Sequence, residues 1–347
     1  MDIQFRRHVV QSRLLNPFKD FALETVPVEI RWDPLLAHTS RVIQRSLRPT
    51  SRPDLAKVID RTSNCHFCAA NLETMTPRIL PEISDEPRIR SGRAVLFPNI
   101  AAYAKYSGVS IFSTDHFLPL SEFSPELIAD MLRVNCRYAE LVFAHDPEAR
   151  HCSISCNCLP SAGGSMVHPH AQVSLDPVPT TRPRLEAQAG LDYWREQGSA
   201  YWRDLIAIER QQGERYVGRI GGSEWLAAFA PLGFDEVQAV VPGRSTLLEL
   251  SDGDIGDLAD GLSRVLRYYY DTMHNSYNMV IYSAPLDGPS EHLPLHLRLI
   301  TRSNYEAYYR SDATFFERLH WESLVTSTPE DVAAGLRVYL DSGAREG

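Results

Sequence analysis

The residues with the clearest capacity for chemistry lie in one short segment, 167–172, which reads Val-His-Pro-His-Ala-Gln. On a strand, His168, His170 and Gln172 would point to the same face. Three polar side chains on one face are costly to bury unless they act together or bind a ligand. A solvent-facing sheet edge gives the same pattern, so both interpretations stay open at this point.

The loop directly before this segment contains Gly163-Gly164-Ser165. Glycines adopt conformations that other residues avoid, and they leave their backbone N–H groups accessible. Such N–H groups can receive a phosphate. We therefore predict an anion-binding turn that leads into the polar strand.

Cys65 and Cys68 form a second motif, with two residues between the thiols. This spacing suits a metal knuckle, and a redox pair has the same spacing. A disulfide framework is not expected in a reducing compartment. The remaining cysteines are predicted to be small buried apolar residues, three of them on one strand face: Cys136, Cys152, Cys156 and Cys158.

Local signals predict the elements that position these residues. Ser124, followed by proline, caps a helix that runs to about residue 144. The other predictions for the first half are strands at 94–98, 109–113, 150–158 and 167–175, and a turn at 106–108. Residues 1–55 read as an arm with a short strand near 28–32.

The second half repeats this order about 125 residues later. Strands are predicted at 224–229, 237–241, 278–283 and 295–301, with a helix at 251–274. We therefore predict an α+β fold made of a duplicated unit, with antiparallel sheets and packed helices. The predicted units are residues 1–188 and 189–347, joined by a proline-containing linker at 176–188.

Composition excludes several classes of protein. The 347 residues include 35 Lys and Arg against 44 Asp and Glu, a net charge of −9. An acidic chain is unsuited to nucleic acid, which needs a dense basic face. No apolar run is long enough for a membrane span, and the N-terminus lacks a signal peptide, so a cytoplasmic protein is expected.

The motifs together resemble the galactose-1-phosphate uridylyltransferase family, the transferase branch of the histidine-triad superfamily. Asn157 and the stretch from Gly163 to Gln172 are similar to its active-site signature. Further landmarks follow in the expected order: Cys65-x-x-Cys68, Phe97-Pro98-Asn99 and Ser113-Thr114-Asp115-His116. The resemblance implies a duplicated histidine-triad-like fold whose first unit is catalytic and whose second unit is degenerate.

The resemblance also implies a reaction in two displacements. His170 would attack the α-phosphorus of a nucleoside-diphosphate sugar, release a sugar 1-phosphate and carry the nucleotide, UMP in the family, to an acceptor. A neutral imidazole, with a pKa of about 6.5, is a usable nucleophile near pH 7. Ser165 would stabilise the phosphoryl charge. Gln172 can donate a hydrogen bond but no proton, which favours a transferase or phosphorylase over a hydrolase.

One structural zinc ion is implied by the match of Cys65, Cys68, His116 and His168 to the family's ligands. Two thiolates and two imidazoles fill a tetrahedral site and leave no position for water.

A second metal is not expected. Glu186 and His296 correspond to two ligands of an iron site found in some members, but Arg298 replaces a histidine and cannot ligate a metal. Arg298 also stands where the repeat would place the nucleophile, so only the first unit is expected to react.

The resemblance assigns substrate contacts as well. Asn99, Asn157, Gly163 and Gly164 match positions near the nucleoside and phosphates, although either asparagine could instead stabilise a turn. Glu322 matches a hexose contact, but Trp321 replaces the family's tyrosine before it.

Three functions therefore stay open. The first is a transferase that exchanges sugar 1-phosphates, the second is a phosphorylase that uses inorganic phosphate on a nucleotide sugar or dinucleotide, and the third is a non-catalytic nucleotide-sugar sensor. By resemblance, a homodimer is expected in which the N-terminal arm of one subunit helps to close the site of the other.

Overall fold

The structure, a computed structural model, describes residues 3–43, 51–59 and 65–341. Within those ranges the chain forms two sheets and seven α-helices. The helices are α1 (Ala56–Ile59), α2 (Ala69–Met75), α3 (Pro125–His145), α4 (Thr181–Gln197), α5 (Tyr201–Gln212), α6 (Asp252–Asp271) and α7 (Pro329–Asp341). None of the described helices is both long and apolar enough to cross a membrane.

Fourteen strands are seen in the described ranges. The first seven are β1 (Arg7–Asn16), β2 (Ala22–Trp32), β3 (Thr39–Ile43), β4 (Ile89–Ser91), β5 (Ala94–Pro98), β6 (Tyr106–Ile111) and β7 (His151–Cys158). The other seven are β8 (His170–Asp176), β9 (Tyr216–Ile220), β10 (Ser223–Ala227), β11 (Phe234–Val241), β12 (Tyr277–Tyr282), β13 (Leu295–Thr301) and β14 (Ser323–Val325). The predicted α+β class is confirmed.

The larger sheet has ten antiparallel strands in the order β4-β5-β6-β8-β7-β12-β13-β11-β10-β9. Counted inward from either edge, the five strands of each half follow one another in the same chain order, with the fourth and fifth exchanged. The two halves meet at the centre, where β7 pairs with β12. The predicted duplication is thereby confirmed. Because the central pairing is antiparallel, Asn157 of the first half lies opposite Asn278 of the second.

The long helix of each half begins at a serine cap. The Ser124 hydroxyl accepts a hydrogen bond from the Leu127 N–H, and Ser251 and Asp254 form a capping box. These contacts satisfy N–H groups that the first helical turn leaves without partners. Both predicted helices are therefore present, and α6 ends three residues before the predicted position.

The main core lies on one face of the large sheet, where α3, α6 and α7 pack against strands of both halves. The predicted boundary at residue 188 falls inside α4, so most of the predicted linker is helical. Pro183 is compatible with this helix because it lies in the first turn, where no N–H partner is lost. The division into 1–188 and 189–347 stays a prediction.

The opposite face of the sheet is covered unequally. In the second half, α5 packs Trp202 and Leu205 against Leu226 and Val240. In the first half, Leu72 of α2 covers the strands β5 and β6. The outward face of β7 and β8 stays half-exposed, which leaves room for a ligand beside His170.

The smaller sheet has the order β1-β2-β3-β14. The predicted short strand near 28–32 is the end of β2, which pairs with β1 over its full length as a long hairpin. Sequence periodicity did not reveal this hairpin because nearly all of β1 is exposed and lacks an apolar face. Residues 1–2 and 44–50 of the predicted arm lie outside the described residues.

Candidate active site and metal centre

His170 is the first residue of β8, and its side chain is only 6% exposed. Its Nδ1–H donates to the backbone carbonyl of His168 at 2.8 Å. No hydrogen-bond partner of Nε2 is found among the described residues. The ring of Phe67 lies edge-on at 5.5 Å and fixes the imidazole from one side.

The environment of His170 keeps its ring neutral. Burial lowers the pKa of His170, while the hydrogen bond to His168 opposes this shift. At pH 7 the ring therefore carries one proton, which the carbonyl holds on Nδ1, and a lone pair on Nε2. A neutral imidazole with a fixed tautomer can act as a nucleophile.

The prediction that His168, His170 and Gln172 share one strand face was wrong for His168. The strand begins only at His170, because Pro169 has no N–H with which to extend the ladder. His168 is fully buried and belongs to a different cluster. The alternation of strand side chains therefore applies to His170 and Gln172 alone.

That cluster contains the four predicted metal ligands, Cys65, Cys68, His116 and His168, whose ligand atoms all lie within 4.8 Å of one another. The Cys68 Sγ is 3.2 Å from His116 Nδ1 and 3.8 Å from His168 Nδ1. Ligand atoms around a tetrahedral zinc ion are about 3.5 Å apart. Both the donor set and its size therefore fit a metal ion such as zinc.

Contacts around the cluster orient its histidine. His168 Nε2–H donates to the Ser113 carbonyl at 2.8 Å, which leaves Nδ1 as the unprotonated atom that faces the thiols. Burial lowers the pKa of His168 to about 4 and raises the pKa of Cys68 to about 11. A bound cation would convert this thiol to the thiolate that ligation requires.

The glycine loop has the geometry that its sequence predicts. Gly163 has φ +89°, in the region that favours glycine, and it is exposed. At Gly164 an added Cβ would lie 2.6 Å from the Asn157 carbonyl oxygen, so only glycine fits there. The loop then leads to Ser165, whose side chain is exposed.

The outward face of β7 and β8 brings further predicted residues together. Gln172 lies opposite Ser155 and is half-exposed. Asn157 lies two residues beyond Ser155 on β7, and side chains two residues apart on a strand point to the same face. Asn157, Gln172 and His170 therefore lie on one face of the sheet.

Two predicted substrate contacts have other partners. The Asn99 side-chain oxygen accepts from the Ala101 N–H at 3.0 Å, as a turn asparagine does. Glu322 precedes β14 in the smaller sheet, where its carboxylate accepts from Thr39 at 2.6 Å and Arg41 at 2.7 Å. The structure does not bring Glu322 to His170 within one chain.

Two residues of the site were missed. Phe67 contacts both histidine rings, and its position inside the Cys-x-x-Cys motif was a usable signal. Asn278 donates to the Asn157 side chain from the other half of the sheet. No local pattern predicts that contact, because it depends on the pairing of β7 with β12.

The corresponding region of the second half is filled by charged side chains. Glu186, 1% exposed, accepts from Arg298 at 3.3 Å and contacts His296 at 3.1 Å. Arg298 also donates to Glu236 at 2.7 Å, and the Trp202 ring stacks on His296. Glu186 and His296, which the sequence resemblance related to an iron site, are thus engaged with each other and with Arg298.

Comparisons with known proteins extend these observations. No protein-family model matches the chain. An uncharacterized protein from Archaeoglobus fulgidus is 33% identical over 338 residues, which are 96% of this chain and 98% of that protein.

Solved structures show the same fold. An ADP-glucose phosphorylase from Arabidopsis thaliana, solved with bound ADP-glucose, has a TM-score of 0.69 and 20% identity, covering 89% of this chain and 98% of its own. A uridylyltransferase has a TM-score of 0.68 and 22% identity, covering 91% and 99%. The fold implied by the sequence resemblance is therefore confirmed.

Proposed function

The chain belongs to one family with the Archaeoglobus fulgidus protein and shares the fold of uridylyltransferases and ADP-glucose phosphorylase, and on this premise we propose that it is a nucleotidyltransferase. Its substrate is a nucleoside-diphosphate sugar, and the nucleotide is carried on His170. The observation that supports this most directly is the hydrogen bond from His170 Nδ1 to the His168 carbonyl. It leaves Nε2, which no described residue occupies, as the nucleophilic atom.

The reaction has two displacements at one phosphorus atom. The Nε2 lone pair bonds to the α-phosphorus, and the bond to the bridging oxygen breaks, releasing a sugar 1-phosphate with that electron pair. An oxygen of the acceptor phosphate then attacks the same phosphorus and returns the electron pair to His170. Gln172, Ser165 and the N–H groups of Gly163 and Gly164 stabilise the phosphoryl oxygens.

The metal ion that we assign to the cluster is zinc, held by the thiolates of Cys65 and Cys68 and by His116 and His168. It supplies a rigid support: with His168 fixed, the carbonyl that orients His170 is fixed too. The donors are all protein groups, so the ion has a structural role. None of the six cysteines forms a disulfide, so the sulfur atoms of Cys65 and Cys68 are available as ligands.

The acceptor is a sugar 1-phosphate, with inorganic phosphate as the second candidate. One observation favours the second. The predicted hexose contact, Glu322, is already engaged by Thr39 and Arg41, and that pairing lowers its pKa. A phosphorylase needs no second hexose contact for its acceptor.

We also propose a homodimer built through the hairpin of β1 and β2. The hairpin exposes large apolar side chains that one chain leaves uncovered, including Phe18 at 95% and Phe21 at 66%. Such surfaces typically mark protein contacts. Replacing both phenylalanines by serine should give a monomer by light scattering, whereas Val338→Ser, another exposed apolar site, should leave the dimer intact.

The test of function is intact-mass measurement after incubation with ADP-glucose, UDP-glucose and related nucleotide sugars. A covalent adduct of one nucleoside monophosphate is expected, and its base identifies the substrate. The His170→Gly variant should form no adduct and keep the melting temperature of the parent. Absence of an adduct with every nucleotide sugar that binds would instead favour a sensor. Exchange with labelled glucose 1-phosphate or labelled phosphate then distinguishes transferase from phosphorylase.

A further inference from the structure

A chain of side-chain hydrogen bonds links the second half of the sheet to the candidate nucleophile. Arg302 lies just after β13, and its guanidinium makes a two-pronged contact with Asp312, with N···O distances of 2.6 and 2.8 Å. The same guanidinium donates from Nη1 to the Asn278 side-chain oxygen. Asn278 in turn donates to the Asn157 side-chain oxygen at 2.7 Å.

Arg302 sets which group donates and which accepts in every hydrogen bond of this series. A guanidinium donates and never accepts, so Arg302 must meet the oxygen of Asn278. The Asn278 nitrogen therefore faces Asn157, which must present its own oxygen in return. The free end of Asn157 is then its Nδ2, for which no partner exists among the described residues.

Asn278 also holds the loop that precedes Ser165. Its second N–H donates to the Ala162 carbonyl at 2.9 Å, directly before Gly163. One side chain from the second half thus fixes both Asn157 and the glycine loop. An oxygen at this place in Asn278, or a rotated amide, would leave both acceptors without a donor.

We propose that Asn278, held by Arg302, is a positioning residue that sets Asn157 as a hydrogen-bond donor to the substrate. This rests on the proposed function, and it adds that Asn157 donates to the substrate rather than accepts from it. Since Asn157 and His170 lie on the same face of the adjacent strands β7 and β8, the Asn157 Nδ2 donates to a non-bridging oxygen of the phosphate that His170 attacks. The second half, which lacks a nucleophile, thereby contributes to the reaction of the first.

The decisive variant is Asn278→Asp. Aspartate has the same shape and pairs well with Arg302, but it cannot donate to Asn157 or Ala162. The Asn157 amide must then rotate and turn its oxygen toward the phosphate. A lost hydrogen bond to a charged group corresponds to a slowing of adduct formation by about tenfold or more.

The matched control is Asn275→Asp. Asn275 lies three residues earlier, and its replacement is the same asparagine-to-aspartate change. The Asn275 side chain hydrogen-bonds the backbone of Tyr305 rather than Asn157. This variant should melt at a lower temperature and still form adduct within about twofold of the parent rate.

Single-turnover adduct formation is measured at saturating nucleotide sugar, in the parent and in the Asn157→Ala background. If Asn278 acts through Asn157, N278D slows the parent more than it slows N157A, in which only the contact with Ala162 is left to lose. Equal rates for N278D and N275D, or full additivity with N157A, would overturn the inference while the adduct of the parent still stands. A parent protein that forms no adduct and binds neither AMP nor UMP would overturn the proposed function and this inference together.

Discussion

Glu186→Gln tests whether the second half is held together by its buried charges. The carboxylate is 1% exposed and is shared by Arg298, His296 and Arg182. Removing one partner of a buried ion pair costs about 3–5 kcal/mol. Arg298 keeps Glu236 in the variant, so we expect about 3 kcal/mol. With an unfolding entropy of about 0.7 kcal/mol/K for a chain of this length, the melting temperature falls by about 4 °C.

The effect has a definite dependence on pH. Burial alone would raise the pKa of Glu186, but Arg298, His296 and Arg182 outweigh it and hold the pKa well below its ordinary value. A carboxylate with a lowered folded-state pKa stabilises fully above its unfolded pKa of about 4.3, and it loses this stabilisation as the pH falls toward the folded value. The difference in melting temperature between parent and variant should therefore narrow from pH 5 to pH 3.

The assay is thermal unfolding followed by circular dichroism across this pH range. Asp192→Asn is the matched control, because it makes the same change on the same helix at a half-exposed carboxylate. We expect it to cost less than about 1 kcal/mol. If E186Q melts together with D192N at pH 7, or if its deficit persists unchanged in acid, the reasoning is refuted.

Two further variants test the first half. Cys65→Ser should lose the bound metal, as measured by mass spectrometry. It should also lose the stabilisation that metal binding gives, about 2.7 kcal/mol at a free-metal concentration 100 times Kd. The control Cys136→Ser should keep the metal, and a C65S protein that still holds its metal would show that the ligand set is wrong. Gly164→Ala should displace the loop, because the new Cβ would lie 2.6 Å from the Asn157 carbonyl oxygen. A shift near 1 Å slows adduct formation by about 100-fold. The control Gly256→Ala places its Cβ in open space and should react normally, and a G164A enzyme that reacts as fast as the parent would contradict the role of the loop.

Sequence signals predicted the fold best where they were local. β5 and β13 have the predicted bounds, and α3 begins at its serine cap. The turn predicted at 106–108 was wrong, because Tyr106 already pairs with Leu175 in the sheet and the chain turns before it. Local composition could not reveal this, since the pairing partner lies about 70 residues away.

The predicted linker at 176–188 is helical from Thr181 onward, which its prolines gave no reason to expect. Pro183 is in a position where a helix accepts proline. The helix α4 has a weak apolar face, so periodicity did not identify it. One of its two buried residues, Glu186, is stabilised by His296 and Arg298 of β13, which only the folded sheet brings near.

In the candidate site, too, local motifs could be predicted and contacts between distant segments could not. Residue types and spacing indicated the metal ligands and His170, since these motifs are short and ordered. The orientation of the Asn157 side-chain amide could not be predicted, because it is set by Asn278 and Arg302 from the other half. Glu322 illustrates the opposite limit: a motif match gave it a role, while its observed partners lie in the smaller sheet.

The pairing of β7 with β12 has a consequence for any shortened version of this protein. A chain that stops after α4 would expose β7 as a bare edge, with its backbone groups facing water and its neighbour missing. The most similar replacement is a second β7 in the same antiparallel sense, because each repeat already has the shape of the other. Two such half-length chains would rebuild a ten-stranded sheet between them, and each would bring its own imidazole to the shared surface.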